Sequence, residues 1–464
     1  MHADLSKVSF RPEKGFSGVV AQQGRVLLDA EANEQLAIQS HLARTVASDL
    51  IGPHGGPGPQ PGFAIGYQTP EGDPPDLTIG PGRYYVDGIL VDATHPASLT
   101  PVPDGSTAAP TDQPAPGWTY WTQPYAYRDR DIDTDHLPNL PFLAYLRVSE
   151  RFVSAAEDPD LRETALGATL PDTAGRLKVV WQVLPLPAGA LKIAGDPTAD
   201  NLRSAFHDWS APLQATGDRL AFGTQRPPHA DDDPCTVHPD FAFRGENSLY
   251  RVEIHAGGAA GDATFTWARD NGSVVFPVSG IEGAWVTLSA FGRDDKLDLH
   301  VGDIVEVVDD SSTGRGTVAG LLRVVELDVA VRRVRLSAEP PANVGRLPQR
   351  HPYLRRWDHG TTTATLKDGA VPVTEGRWID LEDGVQIWFA AGGSYRPGDY
   401  WTAAARTLTG TVEWPRDDSG TPLLLAPAGP TYHFAPLAWV TGVDKVTDLR
   451  MAFKALAVPI EQSS

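Results

Sequence analysis

One stretch near the N-terminus has the hydrophobic spacing of a long helix. Its apolar positions recur at intervals of three, four or seven residues, which places them on one helical face. These positions are Leu36, Ala43, Val46 and Leu50. Asp29 precedes them as a candidate N-cap, because its carboxylate can accept the free amides of a first turn. Gly52-Pro53 ends the pattern. The sequence predicts a helix that follows Asp29 and runs to Leu50.

From about residue 63 the pattern changes to that of strands. Residues 246–258 alternate apolar and polar side chains with a period of two, as in a strand with one buried face. Short turn dipeptides separate runs of β-forming residues, and they predict hairpins at Asp87-Gly88, Asn271-Gly272 and Asp383-Gly384. The helix after Asp29 is the only clearly helical stretch of any length. Residues 1–20 are expected to form an extended arm.

These patterns predict a mainly β protein. We expect several sandwich- or barrel-like β domains together with an N-terminal extended arm and one amphipathic α-helix. The expected segments are an arm and docking helix at 1–55, a β-rich domain at 56–190, a loop-rich connector at 191–245, a sandwich- or barrel-like domain at 246–345 and a C-terminal β-rich domain at 346–464.

Composition narrows the functional classes. The 464-residue chain carries a formal net charge of −20, which argues against nucleic-acid binding and against anionic membrane surfaces. Cys235 is the only cysteine, so no intrachain disulfide can form, as suits a reducing compartment. The N-terminus has no apolar signal segment, and no apolar run is long enough to span a membrane. We therefore expect a cytoplasmic protein.

Acidic residues offer two weak metal candidates. Asp129, Asp131 and Asp133 occupy alternate positions, as ligands do at the start of a calcium loop, but the glycine of such a loop is missing and Leu140 stands at its twelfth position. A second candidate combines Asp231, Asp232, Asp233, Cys235 and His238. One cysteine with one histidine falls short of a structural zinc set. We expect no metal and no other cofactor.

Candidate catalytic groups are equally sparse. The sequence has no phosphate-binding glycine loop and no nucleophile elbow. His351, Asp358 and His359 flank Trp357 and could form a metal or hydrolytic site. The carboxylate pairs Glu157/Asp158 and Glu382/Asp383 could do the acid–base work of a glycan hydrolase. Acidic pairs arise by chance in so acidic a chain, so we expect no enzymatic activity. The tryptophans and tyrosines could form a sugar platform, although core packing is the commoner use.

One sequence motif resembles a known family. The motif QQGRVLLDAEANEQ at residues 22–35 resembles the opening pattern QQGRVxLDADxNEQ of an uncharacterised bacterial family. Further similar stretches are GRYYVDGILV at 82–91, DTAGRLKVVWQV at 172–183, TFTWARDNGSVV at 264–275 and GDYWTAAAR at 398–406. Members of that family are associated with contractile injection systems, which are phage-tail-like particles. Glu31 and Ala32 depart from the family pattern, which favours Asp and Trp there.

The resemblance implies a structural subunit of such a particle, at or near the baseplate. It would dock onto baseplate, sheath or tube proteins, and a homo-oligomer is also open. The candidate docking residues are Phe10, Phe16, Gln22, Gln23, Arg25, Asp29, Asn33, Glu34 and Gln35. A carbohydrate- or cell-surface-binding module is the alternative, and a glycan hydrolase is a weaker one. The polar face of the helix could equally be a solvated surface.

Overall fold

The fold was analysed in a computed structural model, which describes residues 1–96, 117–167, 170–215, 217–225, 242–292, 294–318, 320–361 and 364–457. Within these residues the helices are α1 Asp29–Ile51, α2 Ala199–Gln214 and α3 Asp310–Arg315. The first thirteen strands are β1 His54–Pro57, β2 Ile65–Gln68, β3 Asp76–Ile79, β4 Arg83–Val86, β5 Ile89–Asp92, β6 Trp118–Thr119, β7 Phe142–Val153, β8 Arg176–Pro187, β9 Leu220–Thr224, β10 Ser248–Ala256, β11 Thr264–Ala268, β12 Val275–Glu282 and β13 Trp285–Leu288.

The remaining strands follow in the C-terminal half. They are β14 Ile304–Val308, β15 Leu321–Asp328, β16 Arg333–Leu336, β17 Tyr353–Trp357, β18 Val371–Pro372, β19 Trp378–Asp380, β20 Val385–Phe389, β21 Tyr400–Arg406, β22 Thr411–Glu413, β23 Tyr432–Gly442, β24 Lys445–Asp448 and β25 Ala452–Phe453. The mainly β prediction is confirmed. None of the helices in the described ranges is long and apolar enough to cross a membrane.

The chain divides into two compact units, each built from separated segments. Unit 1 contains residues 1–38, 150–178 and 216–431, and unit 2 contains residues 39–149, 179–215 and 432–464. The expected five consecutive segments do not coincide with these units. Pairings between strands far apart in sequence explain the difference, since β23 pairs with β7 and β25 pairs with β1. Periodicity predicts a strand but does not name its partner.

Unit 1 contains a closed six-stranded barrel in the order β12-β13-β16-β15-β14-β17. Its buried lining is mostly β-branched or leucine, as expected for side chains that alternate toward one apolar interior. A five-stranded sheet, β18-β11-β10-β21-β22, and a three-stranded sheet, β19-β20-β9, share a second core. Trp267 and Trp401, both 1 % exposed, are among the largest side chains in that core.

Unit 2 contains two small sheets, β25-β1-β4-β5 and β2-β3-β6, and most of a third sheet, β24-β23-β7-β8. Its part of the third sheet is all of β23 and β24 with residues 142–149 and 179–187. The predicted hairpin at Asp87-Gly88 is confirmed. Asp87 and Gly88 have φ angles of 46° and 75°, as the turn between β4 and β5 requires. A Cβ on Gly88 would lie 2.2 Å from the carbonyl oxygen of Arg44, so only glycine lets this turn approach α1.

Helix α2 lies in the segment that we expected to be a loop-rich connector. Its buried positions Leu202, Ala205 and Phe206 have helical spacing, and the hydroxyl of Thr198 accepts a hydrogen bond from the amide of Asn201 at 3.3 Å as an N-cap. The stripe is short and Pro212 stands in the last turn, which hides the helix in the sequence. The long helix after Asp29 is therefore not the only one.

The turn at residues 270–272 is present, but the hairpin predicted around it is wrong. Asn271 and Gly272 have positive φ angles of 54° and 64°. Strand β11 before the turn pairs with β10 and β18, whereas β12 after it enters the barrel between β13 and β17. A turn dipeptide predicts a change of direction, while the pairing depends on partners elsewhere in the chain. By contrast, the hairpin at Asp383-Gly384 is confirmed, with β19 paired to β20.

Candidate docking surface

The first three residues of the chain are bound inside unit 1, and we call them the anchor. The side-chain amide of Asn271 donates to the carbonyl oxygens of Met1 at 3.0 Å and Ala3 at 2.8 Å. Arg251 Nη1 also donates to the Met1 carbonyl at 3.2 Å. Ala3 is only 1 % exposed. Extended backbone cannot bond to itself, so these side chains replace the partners that a sheet would supply.

The side chain of His2 extends the anchor into a charged cluster. His2 Nε2 lies 2.9 Å from the carboxylate of Glu253, and its ring meets Trp357 edge-on at 6.1 Å. Arg251 bonds the same carboxylate at 2.6 Å and lies 3.6 Å from the ring centre of Tyr400. Burial lowers the pKa of His2, and the nearby Arg251 lowers it further. Burial would raise the pKa of Glu253, but the charges of Arg251, His2 and Arg355 and the hydrogen bond with His2 together outweigh it and hold this pKa below its usual value.

The middle of the arm is tied to the start of α1. Three side chains in the first two turns accept hydrogen bonds from it at 2.6 to 3.0 Å. They are Asp29 from the amide and hydroxyl of Ser6, Glu34 from the hydroxyl of Ser9 and Gln35 from the amide of Val19. These three predicted docking residues therefore hold two parts of one chain together. Their carboxylate and amide oxygens are engaged within unit 1.

Helix α1 begins one residue away from the expected cap. The carbonyl of Leu28 accepts the amides of Glu31 and Ala32, so Leu28 holds the N-cap position. The carboxylate of Glu31 returns to the amide of Leu28 at 3.0 Å, which is one half of a capping box. The prediction of Asp29 as N-cap is wrong, because its side chain is turned to Ser6 instead.

Between the arm and α1 lies an exposed loop, residues 20–28, which we call the tip. Its apolar side chains are largely in solvent, with exposed fractions of 84 % for Val20, 81 % for Val26, 65 % for Leu27 and 52 % for Leu28. The amide of Arg25 donates to the carbonyl of Gln22 at 3.2 Å and closes a turn through Gly24, whose φ is 69°. The tip is thus a defined turn followed by three successive exposed apolar residues.

Most of the other predicted docking residues are exposed to solvent. Gln22, Gln23, Arg25 and Asn33 are exposed. Phe16 is also exposed, with Lys14 above its ring at 5.9 Å, and Phe10 is partly buried. The predicted docking residues did not include Val26, Leu27 and Leu28, which form the apolar half of the tip. The motif VLL is visible in the sequence, but it has the composition of a strand and gives no signal that it remains unpaired.

The apolar stripe predicted on α1 is exposed as well. Leu36, Val46 and Leu50 have 50 %, 57 % and 68 % of their surface in solvent, whereas Ala30 and Ile38 on another face are buried. An amphipathic helix normally turns its apolar stripe to the core of its own domain. Here the stripe stays exposed, and none of its three large residues is buried by the described part of the chain.

A family model now places the chain among known sequences. A model of a family of unknown function, DUF6519, matches residues 1–221 and 216–446. The chain belongs to the DUF6519 family. No curated protein and no solved structure matches it. Membership in DUF6519 therefore groups the chain with its relatives and supplies neither a reaction nor a ligand.

The metal candidate at Asp129, Asp131 and Asp133 of this DUF6519 member does not assemble into a site. The carboxylate of Asp129 accepts the amide of Asp131 at 3.0 Å within an exposed loop, and Asp133 opens a short 3₁₀ turn. Among the described residues no group of three or more His, Cys, Asp or Glu side chains could hold a metal ion. The second candidate, Asp231 to Asp233 with Cys235 and His238, lies outside the described residues.

The candidate catalytic groups have separate structural partners. Glu157 pairs with Arg151, and Asp158 caps a 3₁₀ turn. His351 lies 2.9 Å from Asp310, Asp358 accepts the amide of Arg269 at 2.9 Å, and His359 lies 2.7 Å from the carbonyl oxygen of Gly369. The three residues thus have three different hydrogen-bond partners. They do not form one relay.

Glu382 is the most perturbed of the predicted carboxylates. Burial raises its pKa to about 7, although Arg269 donates to it at 2.8 Å and opposes the shift. The hydroxyl of Tyr250 also donates to it at 3.0 Å. A raised carboxyl pKa is typical of general acids and also of buried ion networks. Its two oxygens are occupied by Tyr250 and Arg269, which favours the structural role.

The aromatic residues mainly fill cores. Among the described residues, Trp378 is the tryptophan in the exposed class, with 39 % of its surface in solvent. Its ring meets Trp388 edge-on at 5.7 Å and covers Gly223, where a Cβ would lie 2.7 Å from the indole. An edge-on pair presents one flat face at most, so it makes a small sugar platform.

Proposed function

We propose that this DUF6519 member is a non-enzymatic structural component of a phage-tail-like contractile injection system, at or near the baseplate, that acts by docking to neighbouring subunits. The exposed apolar run at residues 26–28 is the observation that carries the docking part of the proposal. The resemblance of residues 22–35 to the QQGRVxLDADxNEQ pattern supports the kind of particle. The family has no assigned function, so this link depends on the motif alone.

The chemistry of the tip favours a protein partner. Three successive apolar side chains in solvent are unusual on a monomer surface unless something covers them. The bound arm and the start of α1 hold the tip from both sides, so little conformational freedom remains to be lost on docking. The net charge of −20 disfavours an anionic membrane or nucleic acid as the alternative cover.

The free energies of burial and association indicate that docking needs contact surface in addition to the tip. Covering a valine or leucine side chain contributes about 1.5 to 3 kcal/mol, so the three residues together contribute roughly 4.5 to 9 kcal/mol. Association costs about 4 to 15 kcal/mol in lost translation and rotation. The tip alone is therefore marginal, and Phe16 beside it is the nearest exposed aromatic side chain along the chain.

Site-specific photo-cross-linking tests the proposal. A benzophenone amino acid at Leu27 is compared with the same group at Leu408, which is 88 % exposed in unit 1 and distant in sequence from the arm. In cells that assemble the particle, we expect position 27 to give an adduct with another particle subunit, identified by mass spectrometry. Equal adducts at both positions, or none at position 27, would contradict docking through the tip.

A carbohydrate- or cell-surface-binding module is the second candidate, and the exposure of Trp378 is the observation that favours it. Binding of purified protein to cell-wall glycan, lost on Trp378→Ala and kept on Leu27→Glu, would support this reading. The opposite pattern, with no glycan binding by the wild type, would favour the structural role. A glycan hydrolase would in addition release soluble sugar, and Glu382→Gln would abolish that release.

A further inference from the structure

The exposed stripe of α1 has a regular spacing that extends beyond the three large residues. Six exposed side chains recur at alternating intervals of four and three residues, and we call them the α1 seam. They are Ala32, Leu36, Gln39, Ala43, Val46 and Leu50. The alternation of four and three residues is the repeat of coiled coils, and it keeps side chains in one line against a second helix. The seam therefore has the geometry for helix pairing.

The sizes of the seam residues favour one arrangement of two identical helices. In an antiparallel pair centred on His41, Ala32 faces Leu50 of the second copy, and Leu36 faces its Val46. Gln39 then faces Ala43. Each small residue thus meets a larger one, which is how facing layers interdigitate. A parallel pair would place alanine against alanine and leave gaps, and it would bury two glutamines against each other.

The charges of α1 favour the same arrangement. Asp29, Glu31 and Glu34 lie in its first two turns, and Asp49 is the one acid in its last turn. A parallel pair would bring all the N-terminal acids together. An antiparallel pair separates them by most of the helix, about 30 Å, which is several times the screening length of about 8 Å at physiological ionic strength. Opposed helix dipoles add to this preference.

We propose that α1 is a self-association element, which pairs antiparallel with α1 of a second copy of this chain through the α1 seam. This deepens the proposed function, because it names one neighbour among the subunits that the chain would contact. The seam is under three heptads long, so the pair is weak in dilute solution. Other contacts within an assembly raise the effective concentration of the two helices and strengthen the pairing.

Disulfide trapping in the full chain tests the arrangement. Two variants with different tags, Gln39→Cys and Ala43→Cys, are made on a Cys235→Ser background, mixed and mildly oxidised. Facing positions 39 and 43 predict a mixed disulfide. Two copies of the same position lie four residues apart along the helix axis, about 6 Å. Together with a separation of about 8 to 10 Å between the helix axes, this offset places the two residues beyond the reach of a disulfide. We expect the mixed product to exceed either same-variant product at least tenfold.

A charge placed in the seam tests the pairing, and the same charge outside the seam is the matched control. Ala43→Glu added to the Gln39→Cys chain should reduce trapping with the Ala43→Cys chain at least tenfold, whereas Thr45→Glu, at an exposed position of α1 outside the seam, should leave it unchanged. Circular dichroism checks that both variants fold. Same-variant products in excess, or no trapping between chains that fold, would overturn the antiparallel pair.

The outcome also separates this inference from the proposed function. If trapping fails while the wild-type chain still enters particles, self-pairing is wrong and the structural role stands. If trapping succeeds while the chain is absent from purified particles, α1 pairs as proposed and the assignment to a contractile particle is wrong.

Discussion

The anchor and the tip belong to the same N-terminal segment and differ in both burial and chemistry. The anchor is bound through backbone carbonyls and an imidazole, and its partners Arg251 and Asn271 are 2 % and 1 % exposed. The tip is apolar and has more than half of each apolar side chain in solvent. Polar groups are thus buried and apolar groups exposed, the reverse of their usual distribution in a folded protein.

This contrast indicates that the two parts act in different processes. The anchor contributes to the stability of unit 1, because its polar groups are satisfied by buried side chains of that unit. The tip contributes little to folding, since its apolar surface remains in water. We therefore expect anchor variants to change stability and tip variants to change assembly. The predictions below proceed from the largest expected effect on stability to the smallest.

Arg251→Met should give the largest loss of stability. It leaves the buried carboxylate of Glu253 without its guanidinium and removes a donor to the Met1 carbonyl. Removing one partner of a buried ion pair costs about 3 to 5 kcal/mol. Denaturant unfolding followed by tryptophan fluorescence measures it. The double variant Arg251→Met/Glu253→Gln should recover part of the loss, and equal losses in the two variants would show that the pair is not the cause.

Asn271→Ala should release the anchor with a smaller loss of stability than Arg251→Met. It removes two hydrogen bonds to the anchor carbonyls and one from Arg251, each worth about 0.5 to 1.5 kcal/mol, so we expect a loss of roughly 1.5 to 4.5 kcal/mol. Hydrogen exchange in residues 1–9 should accelerate, while exchange in the barrel strands should not. Asn33→Ala, at an exposed position of α1, is the matched control. Unchanged exchange in residues 1–9 of the Asn271 variant would contradict the anchor.

Acid should loosen the anchor. The pKa of His2 is lowered in the docked arm, so the docked arm binds fewer protons than the free arm. Docking is therefore strongest above the free imidazole pKa of about 6.5 and weakens as pH falls below it. Proteolysis of residues 1–9 should rise between pH 7.5 and pH 5. The groups facing His2 are Arg251 and Arg355, which disfavour its protonation, and Glu253, which favours it.

The variant His2→Gln tests the source of this pH dependence. Glutamine cannot titrate, so proteolysis of the arm should respond less to pH than in the wild type. An identical pH response in the variant would assign the effect to another group. His359, whose pKa burial lowers to about 4, contributes an acid sensitivity of the same sign elsewhere in unit 1, so the arm itself must be monitored.

Local features could be predicted from the sequence. Helix α1 ends within one residue of the predicted Leu50, and the turns at Asp87-Gly88 and Asp383-Gly384 lie between the expected strands. These features depend on periodicity and on residues that tolerate positive φ, and both are properties of neighbours in sequence. The same information predicted the turn at Asn271 but not the strand partners on its two sides.

The candidate surface could be predicted only in part. The sequence motif drew attention to residues 22–35, yet Asp29 and Glu34 bind the arm of the same chain. That outcome depends on where Ser6 and Ser9 lie, and their positions follow from an anchor whose partners are about 250 residues away. The exposure of residues 26–28 is likewise a tertiary property. The sequence shows an apolar run there, but it could not show that the run remains exposed.

The tip should show the smallest effect on stability and a large effect on assembly. Leu27→Glu replaces a side chain that is 65 % exposed, so the free energy of unfolding should change by less than about 0.5 kcal/mol. The added charge would be buried without a partner in any docked complex, which should reduce docking at least tenfold. Leu408→Glu, at an exposed leucine outside the arm, is the control for charge and expression.

Recovery of these variants in purified particles tests the central claim most directly. Wild-type chain, Leu27→Glu and Leu408→Glu are expressed in cells that lack the native gene, and the sedimented particle fraction is quantified by immunoblot against total protein. We predict that the wild type and Leu408→Glu co-sediment with particles and that Leu27→Glu remains in the supernatant as folded protein. Equal recovery of folded Leu27→Glu and wild type in the particles, or no wild-type chain in them, would contradict the account.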